Sequence, residues 1–173
     1  DIEINQLMVS KPHENAFGPF VYKNELFYCL DRGKKSTKKM ENEDGGVFLD
    51  LFKVKLKQKN KTLGKPIRLS DTINSEQNEG PLEIGSNGTY LYFSKNNKNI
   101  NSSSEENKLG IYISEYENNN WGVPEPFPHN SDSFNVAHPT INAEGNMLIF
   151  ISDIPGGKGK SDLYMSKKVN GEW

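Results

Sequence analysis

His138-Pro139-Thr140-Ile141, the turn residues Ala143-Glu144-Gly145-Asn146, the apolar run Leu148-Ile149-Phe150 and the returning run Asp162-Leu163-Tyr164-Met165-Ser166 occupy residues 138–166 in that order. Two apolar runs joined by a Gly/Asn-rich turn describe a β-hairpin, and the return after a polar loop adds a third antiparallel strand. The same order occurs twice upstream. Gly18-Pro19-Phe20-Val21 and Gly80-Pro81-Leu82-Glu83-Ile84 lead through Lys23-Asn24-Glu25 and Ser86-Asn87-Gly88 into Leu26-Phe27-Tyr28 and Leu91-Tyr92-Phe93. The returning runs are Asp50-Leu51-Phe52-Lys53-Val54 and Gly110-Ile111-Tyr112-Ile113-Ser114, with an aromatic at one fixed place in all three copies. A fourth segment follows the first two, around residues 64–69 and 121–127.

Successive prolines stand 62 and then 58 residues apart. That length holds four short strands with their loops, the content of one propeller blade, and such a unit buries both sheet faces only by stacking on copies of itself. The sequence therefore predicts an all-β partial β-propeller of about three four-stranded antiparallel blades, over residues 15–75, 76–134 and 135–173. Residues 1–10, alternating through Ile2-Glu3-Ile4-Asn5-Gln6-Leu7, read as a fourth-strand remnant of a neighbouring or closing blade, and Trp173 matches Trp121. From the leucine of the second strand to its partner in the third the distance is 25, then 20, then 15 residues, so length varies at one loop position. Insertions there cost little, and binding surfaces are built on such loops. Asp31, Arg32, Asn96, Asn97 and Asp153 are the candidate partner-binding residues on that rim.

Composition narrows the function classes. With 34% hydrophobic residues and three alanines the chain lacks the makings of a helical core. A net charge of -2 gives no field to gather a nucleic acid. The longest apolar run, Met147 to Ile151, is far short of the roughly 20 residues of a membrane span. The first residue, Asp1, reads as the start of a processed or excised chain. The single cysteine, Cys29, sits within Leu26-Phe27-Tyr28-Cys29-Leu30 and reads as a buried, inert thiol.

The run from Ile154 to Ser166 with Asn170-Gly171-Glu172-Trp173, and the run Leu69 to Glu76 followed by Pro81 and Leu91-Tyr92-Phe93-Ser94, resemble the TolB-type, WD-repeat-like propeller blade. The likeness extends from about Ile4 to Trp173, and the third repeat carries it best. It is most similar to the version found in Bacteroidetes outer-membrane lipoproteins that join a helical repeat, this propeller and an OmpA-like peptidoglycan-binding domain. Members of that group are associated with type IX secretion and gliding. Nineteen lysines against two arginines, with 21 asparagines, agree with an AT-rich genome of that lineage. The first repeat departs from the pattern, with Lys23-Asn24-Glu25 in place of an Asp-Gly turn and an insertion over residues 34–46. The resemblance implies a periplasmic, outer-membrane-associated scaffold that binds other envelope proteins or components of the secretion machinery. Peptidoglycan contact is expected only through a domain outside these residues.

Other motifs give way to plainer readings. Gly156-Gly157-Lys158-Gly159-Lys160-Ser161 lacks the first glycine of a phosphate loop, where Ile154 stands, and it leads into a strand instead of a helix. Lys53, Lys55, Lys57 and Lys59 alternate with Phe52, Val54 and Leu56, which describes the solvated face or protected edge of a strand. His13, His129 and His138 have no metal-ligand spacing, and there is no Gly-x-Ser-x-Gly elbow. The expectation is a non-enzymatic protein without metal or cofactor. Three blades fall short of a closed ring of about four to eight, so the chain reads as cut from a longer propeller; the competing readings are two three-blade chains completing one ring and a propeller belonging to a hydrolase, whether peptidase gate or glycan-cleaving domain.

Overall fold

The computed structural model describes residues 4, 6–31, 48–56, 63–85, 87–97 and 107–173. Among them there is no helix, and the strands form three open antiparallel sheets, as the all-β reading expects. The first sheet runs in the order β1 (Ala16–Tyr22), β2 (Glu25–Asp31), β3 (Leu49–Lys55) and β4 (Ile67–Arg68). The second has β5 (Glu79–Ile84), β6 (Tyr90–Asn96) and β7 (Leu109–Glu117), with β8 (Asn120–Trp121) and β9 (Glu125–Pro126) both paired to β7. The third has β10 (Val136–Ile141), β11 (Met147–Ser152) and β12 (Asp162–Lys167).

The repeated prolines mark one repeated backbone event. In each sheet the register between the first two strands shifts at the proline: between Phe17 and Phe20, between Glu79 and Leu82, and between Ala137 and Thr140. Proline has no N–H for the ladder, and a bulge removes the need for one. The residue before it takes a left-handed conformation each time, with φ of 60° at Gly18, 111° at Gly80 and 54° at His138. The fixed aromatic of the third strand faces an aromatic of the second in all three registers. Tyr28 and Phe52 have ring centroids 6.0 Å apart, Phe93 and Tyr112 6.3 Å, and Phe150 and Tyr164 6.0 Å. Such cross-strand pairs contribute about 0.5–1.5 kcal/mol beyond their area burial.

The fourth segments pair where the repeat places them, Ile67 and Arg68 beside Lys53 and Phe52, and Glu125 and Pro126 beside Ile113 and Tyr112. Both are interrupted: in the first, Leu63 bridges Leu56 and the chain rejoins β3 at Ile67. In the second, Asn118 and Asn119, both at positive φ, turn a tight hairpin that pairs Trp121 with Tyr116, and the chain rejoins β7 only at Glu125. Pro124 in the gap has no N–H to offer β7, which accounts for the break. The bridge from Val169 to Glu172 repeats this hairpin, so Trp173 holds the place of Trp121. At the amino terminus Ile4 and residues 6–10 lie outside any strand. Alternation of lysine with apolar residues holds through Lys55, which is exposed beside buried Val54; Lys57 and Lys59 lie outside the described residues.

The period-two pattern separates the cores. Phe27, Cys29 and Leu51 on one face of the first sheet meet Leu82, Ile84, Leu91 and Phe93 of the second, with Leu69 and Ile73 of the connecting chain between them. Tyr92 and Ile111, on the opposite face of the second sheet, meet Val136, Ile141, Leu148 and Phe150 of the third in the same way, and Phe127 fills the place of Leu69. A smaller cluster, Leu26, Tyr28, Leu30 and Val54, backs the first sheet under Val9, Leu56 and Leu63. Thus β5 lies against β1, β2 and β3, and β10 lies against β5, β6 and β7.

Candidate functional site

The candidate rim lies where the second strands end. Asp31 closes β2, and its carboxylate accepts the Asn15 backbone N–H at 3.0 Å and the Asn15 side-chain amide at 2.8 Å. Asn96 closes β6 and accepts the Asn78 N–H at 3.0 Å. Asp153, just past β11, accepts the Asn135 N–H at 2.5 Å and its side-chain amide at 2.8 Å. Each fastens the residue that leads into the first strand of its own sheet. The fastened asparagines then reach backwards: the Asn78 amide oxygen accepts the Leu49 N–H at 3.0 Å, and that of Asn135 accepts the Leu109 N–H at 2.9 Å. Asp31, Asn96 and Asp153 therefore form a row of fasteners along one edge of the molecule, not a single pocket. Arg32 lies outside the described residues.

Burial acts to raise the pKa of Asp153. The two hydrogen bonds from Asn135, with a smaller pull from Lys108, outweigh it and hold the carboxyl below its ordinary value.

Asn97 is placed differently. Its amide nitrogen donates to the Ser131 carbonyl at 3.2 Å and faces the Asp132 carboxylate at 3.4 Å, while its amide oxygen accepts the Tyr112 hydroxyl at 2.9 Å. These residues line an open groove of about 480 Å³ that Pro126 and Pro128 complete on one side. Rigid proline walls and a mixed set of amide, hydroxyl and carboxylate groups suit recognition of a polar segment laid across the rim. Sequence reading reached Asn97 through its loop, but not Ser131 and Asp132. Those two come from the connection after the fourth strand, which Asn130 holds to β7 by bonding both main-chain groups of Ile111.

The Gly/Lys loop before β12 is filled from within. Asp162 accepts the Lys158 N–H at 2.8 Å and the Gly159 N–H at 3.0 Å, so the chain's own carboxylate takes the position an anion would need. Gly157 packs so closely on the Asp162 carboxylate that a side chain there would collide with it. Of the histidines, His138 sits at the third bulge, its N–H donating to Ser94 Oγ at 2.8 Å, and His129 stands edge-on to Phe127. No group of three metal-ligating side chains occurs among the described residues. Nor is any helix among them long and apolar enough to cross a membrane.

One ionisable residue escaped the sequence reading. Glu79 is fully buried where the third sheet has Val136 and the first has Ala16. Its Oε1 accepts from the Ser75 N–H at 3.1 Å and the Ser75 hydroxyl at 2.5 Å, and lies 3.9 Å from Lys95 Nζ, while Oε2 has no partner. Burial drives its pKa up to about 7 against the pull of Ser75 and Lys95. A perturbed carboxyl often marks chemistry; this one is fully buried on β5, the strand that lies against the first sheet. A charged residue at a position that is apolar in the other copies was the available signal.

No family model matches the chain, and no curated protein matches it.

Proposed function

We propose that the three sheets are three blades of a β-propeller and that the chain is a non-catalytic binding and scaffolding surface. In this reading it works at the periplasmic side of a bacterial outer membrane, within a peptidoglycan-associated lipoprotein serving type IX secretion or gliding. The observation that supports the blade reading is the recurrence of one register in three sheets, each laid on the next through its first strand. The envelope setting rests on the TolB-type resemblance of the repeats. A binding role is supported by the open groove on the rim, which Asn97, Ser131 and Asp132 border together with Pro126 and Pro128.

Site-specific photo-crosslinking tests the proposal. A crosslinker at position 97 is exposed to solubilised outer-membrane proteins, with one at Glu144, in the turn at the opposite end of the third sheet, as control. A discrete adduct from position 97 that excess unlabelled chain competes away supports a binding rim. Equal or absent adducts from the two positions would remove it.

A further inference from the structure

One lysine touches both the buried carboxyl and the groove. Glu79, at the start of β5, pairs directly with Lys95 of β6. The Lys95 ammonium stands 3.9 Å from Glu79 Oε1 and 5.6 Å from the centre of the Tyr112 ring. Tyr112 lines the groove and donates its hydroxyl to Asn97 Oδ1 at 2.9 Å, and the Asn97 amide donates to the Ser131 carbonyl at 3.2 Å. This wall has little slack. A Cβ on Gly110, the partner of Lys95 on β7, would stand 2.7 Å from the Asn130 amide nitrogen and 3.2 Å from Asn97 Cβ, so a shift of one of these side chains is felt by the next.

Glu79 is set to change state. It is fully buried, Ser75 donates twice to Oε1, and Oε2 has no partner. Ser75 and the Lys95 ammonium favour the carboxylate, while burial and the negative charge of Asp50 on β3, itself paired with Arg68, favour the acid. The other elements packed on β5 present groups that are neutral, engaged elsewhere or turned outward. From β2 come the Cys29 thiol, which burial keeps protonated, and Asp31, which is bonded to Asn15. Lys53 of β3 pairs with Glu25, Tyr22 of β1 lies by Gly88 past the other end of the strand, and His138 of β10 is exposed. The balance places the change of state at about pH 7. While Glu79 is ionised it draws the ammonium; once it is neutral only the Tyr112 ring and water do so, since the lysine side chain is 19% exposed.

We propose that Glu79 is a proton switch for the groove and that Lys95 carries its signal. A proton from solvent, taken up at Oε2, neutralises the carboxyl and releases the Lys95 ammonium. Tyr112 and Asn97 then lose the fixed charge beside them, and the groove wall loosens. The groove is therefore firm above about pH 7 and looser below it. The inference rests on reading the groove as the binding site, and it supplies the regulation of that site.

The test follows the Asn97 side-chain amide and the Glu79 carboxyl carbon by NMR in the 173-residue chain, over about two pH units on either side of the change of state. Asn97 is expected to shift along one sigmoid that shares the midpoint of the Glu79 carboxyl, while Asn119, in the hairpin at the other end of the second sheet, stays flat. In Glu79→Gln the Asn97 shift is expected to be lost. In Lys95→Met the carboxyl still titrates but Asn97 no longer follows it, and Lys95→Arg, which keeps the cation, restores the response. Retention of the β-rich circular dichroism spectrum checks that each variant folds. An Asn97 amide that stays flat while Glu79 titrates would overturn the switch. A response unchanged in Glu79→Gln would overturn it too, and would belong to another group at the groove, such as His129 beside Phe127. A response indifferent to Lys95→Met would overturn the relay. Because this readout needs no partner, a failed crosslinking test would remove the binding reading and leave the switch standing, and a failed switch would leave the crosslinking result untouched.

Discussion

Asn74 holds Leu51 by both of its main-chain groups, accepting the Leu51 N–H at 2.6 Å and donating to the Leu51 carbonyl at 3.0 Å. Asn130 does the same to Ile111, at 2.8 Å in both directions. In each case a loop that follows the fourth strand is clamped to the middle of the third strand, beside the residue that plugs the next core. Asparagine suits the task because its amide donates and accepts in one plane.

Asn74→Ala leaves the buried Leu51 N–H without a partner, while the Leu51 carbonyl keeps the Leu69 N–H. The expected loss is about 1–3 kcal/mol, read as a lowered urea midpoint. Asn74→Asp keeps the acceptor but loses the donor, and is expected to fail nearly as badly. A midpoint unchanged by either substitution would show that the clamp contributes nothing.

The aromatic pairs make the sheets comparable quantitatively. Phe93→Ala and Phe150→Ala each empty a buried site facing the tyrosine of the third strand, and each is expected to cost about 3–5 kcal/mol. The leucine variants are expected to cost about 1–2 kcal/mol, since they retain most of the apolar volume. Denaturant titration of the four variants checks this; a large imbalance between the two sites would argue against equivalent packing.

Glu79 gives the fold a pH dependence of definite sign. Burial raises its pKa from 4.5 to about 7 in the folded chain, so folding favours the protonated carboxyl. The stability that this supplies is fully present below about pH 4.5 and is lost as the pH rises through 7. Glu79→Gln, uncharged throughout, is expected to exceed the native chain by roughly 1–3 kcal/mol near pH 8 and to approach it near pH 4.5. Urea midpoints across that range measure the difference; a variant that is less stable at pH 8 would show that the Lys95 pairing outweighs burial.

Cys29 is fully buried, and burial lifts its thiol pKa to about 12. A disulfide reagent is expected to label it more than about a hundredfold slower in the folded chain than in urea, with the rate set by opening of the first two sheets. Rapid labelling without denaturant would mean that this junction opens readily.

The strands and their order were legible because their signals lie in runs of neighbours. The proline steps, the Leu-aromatic second strands and the fixed aromatic of the third each occupy a few consecutive residues, and each reappears as a bulge or a cross-strand pair. Trp121 was harder, because the Asn118-Asn119 hairpin and Pro124 divide its segment in a way that periodicity does not reveal. On the rim, Asp31, Asn96 and Asp153 could be placed but not given a task. Their partners Asn15, Asn78 and Asn135 lie 16 to 18 residues away and are recognisable only once the strands are paired. Ser131 and Asp132 approach Asn97 from still further along the chain. Glu79 breaks the apolar pattern of its own repeat position.

The division of the rim into fasteners and a binding groove is tested most directly by one paired measurement on Asp153→Ala and Asn97→Ala: urea midpoint together with crosslink yield from a fixed reporter at Ser131. Asp153→Ala is expected to lower the midpoint by the equivalent of about 1–3 kcal/mol in stability, since Asn135 loses its acceptors, while the yield per folded molecule holds. Asn97→Ala is expected to reduce the yield at least about fivefold, a loss of roughly 1 kcal/mol in binding, while the midpoint moves by less than the Asp153 variant's. The reverse pattern, with Asp153→Ala abolishing capture at unchanged stability and Asn97→Ala leaving capture intact, would contradict the account.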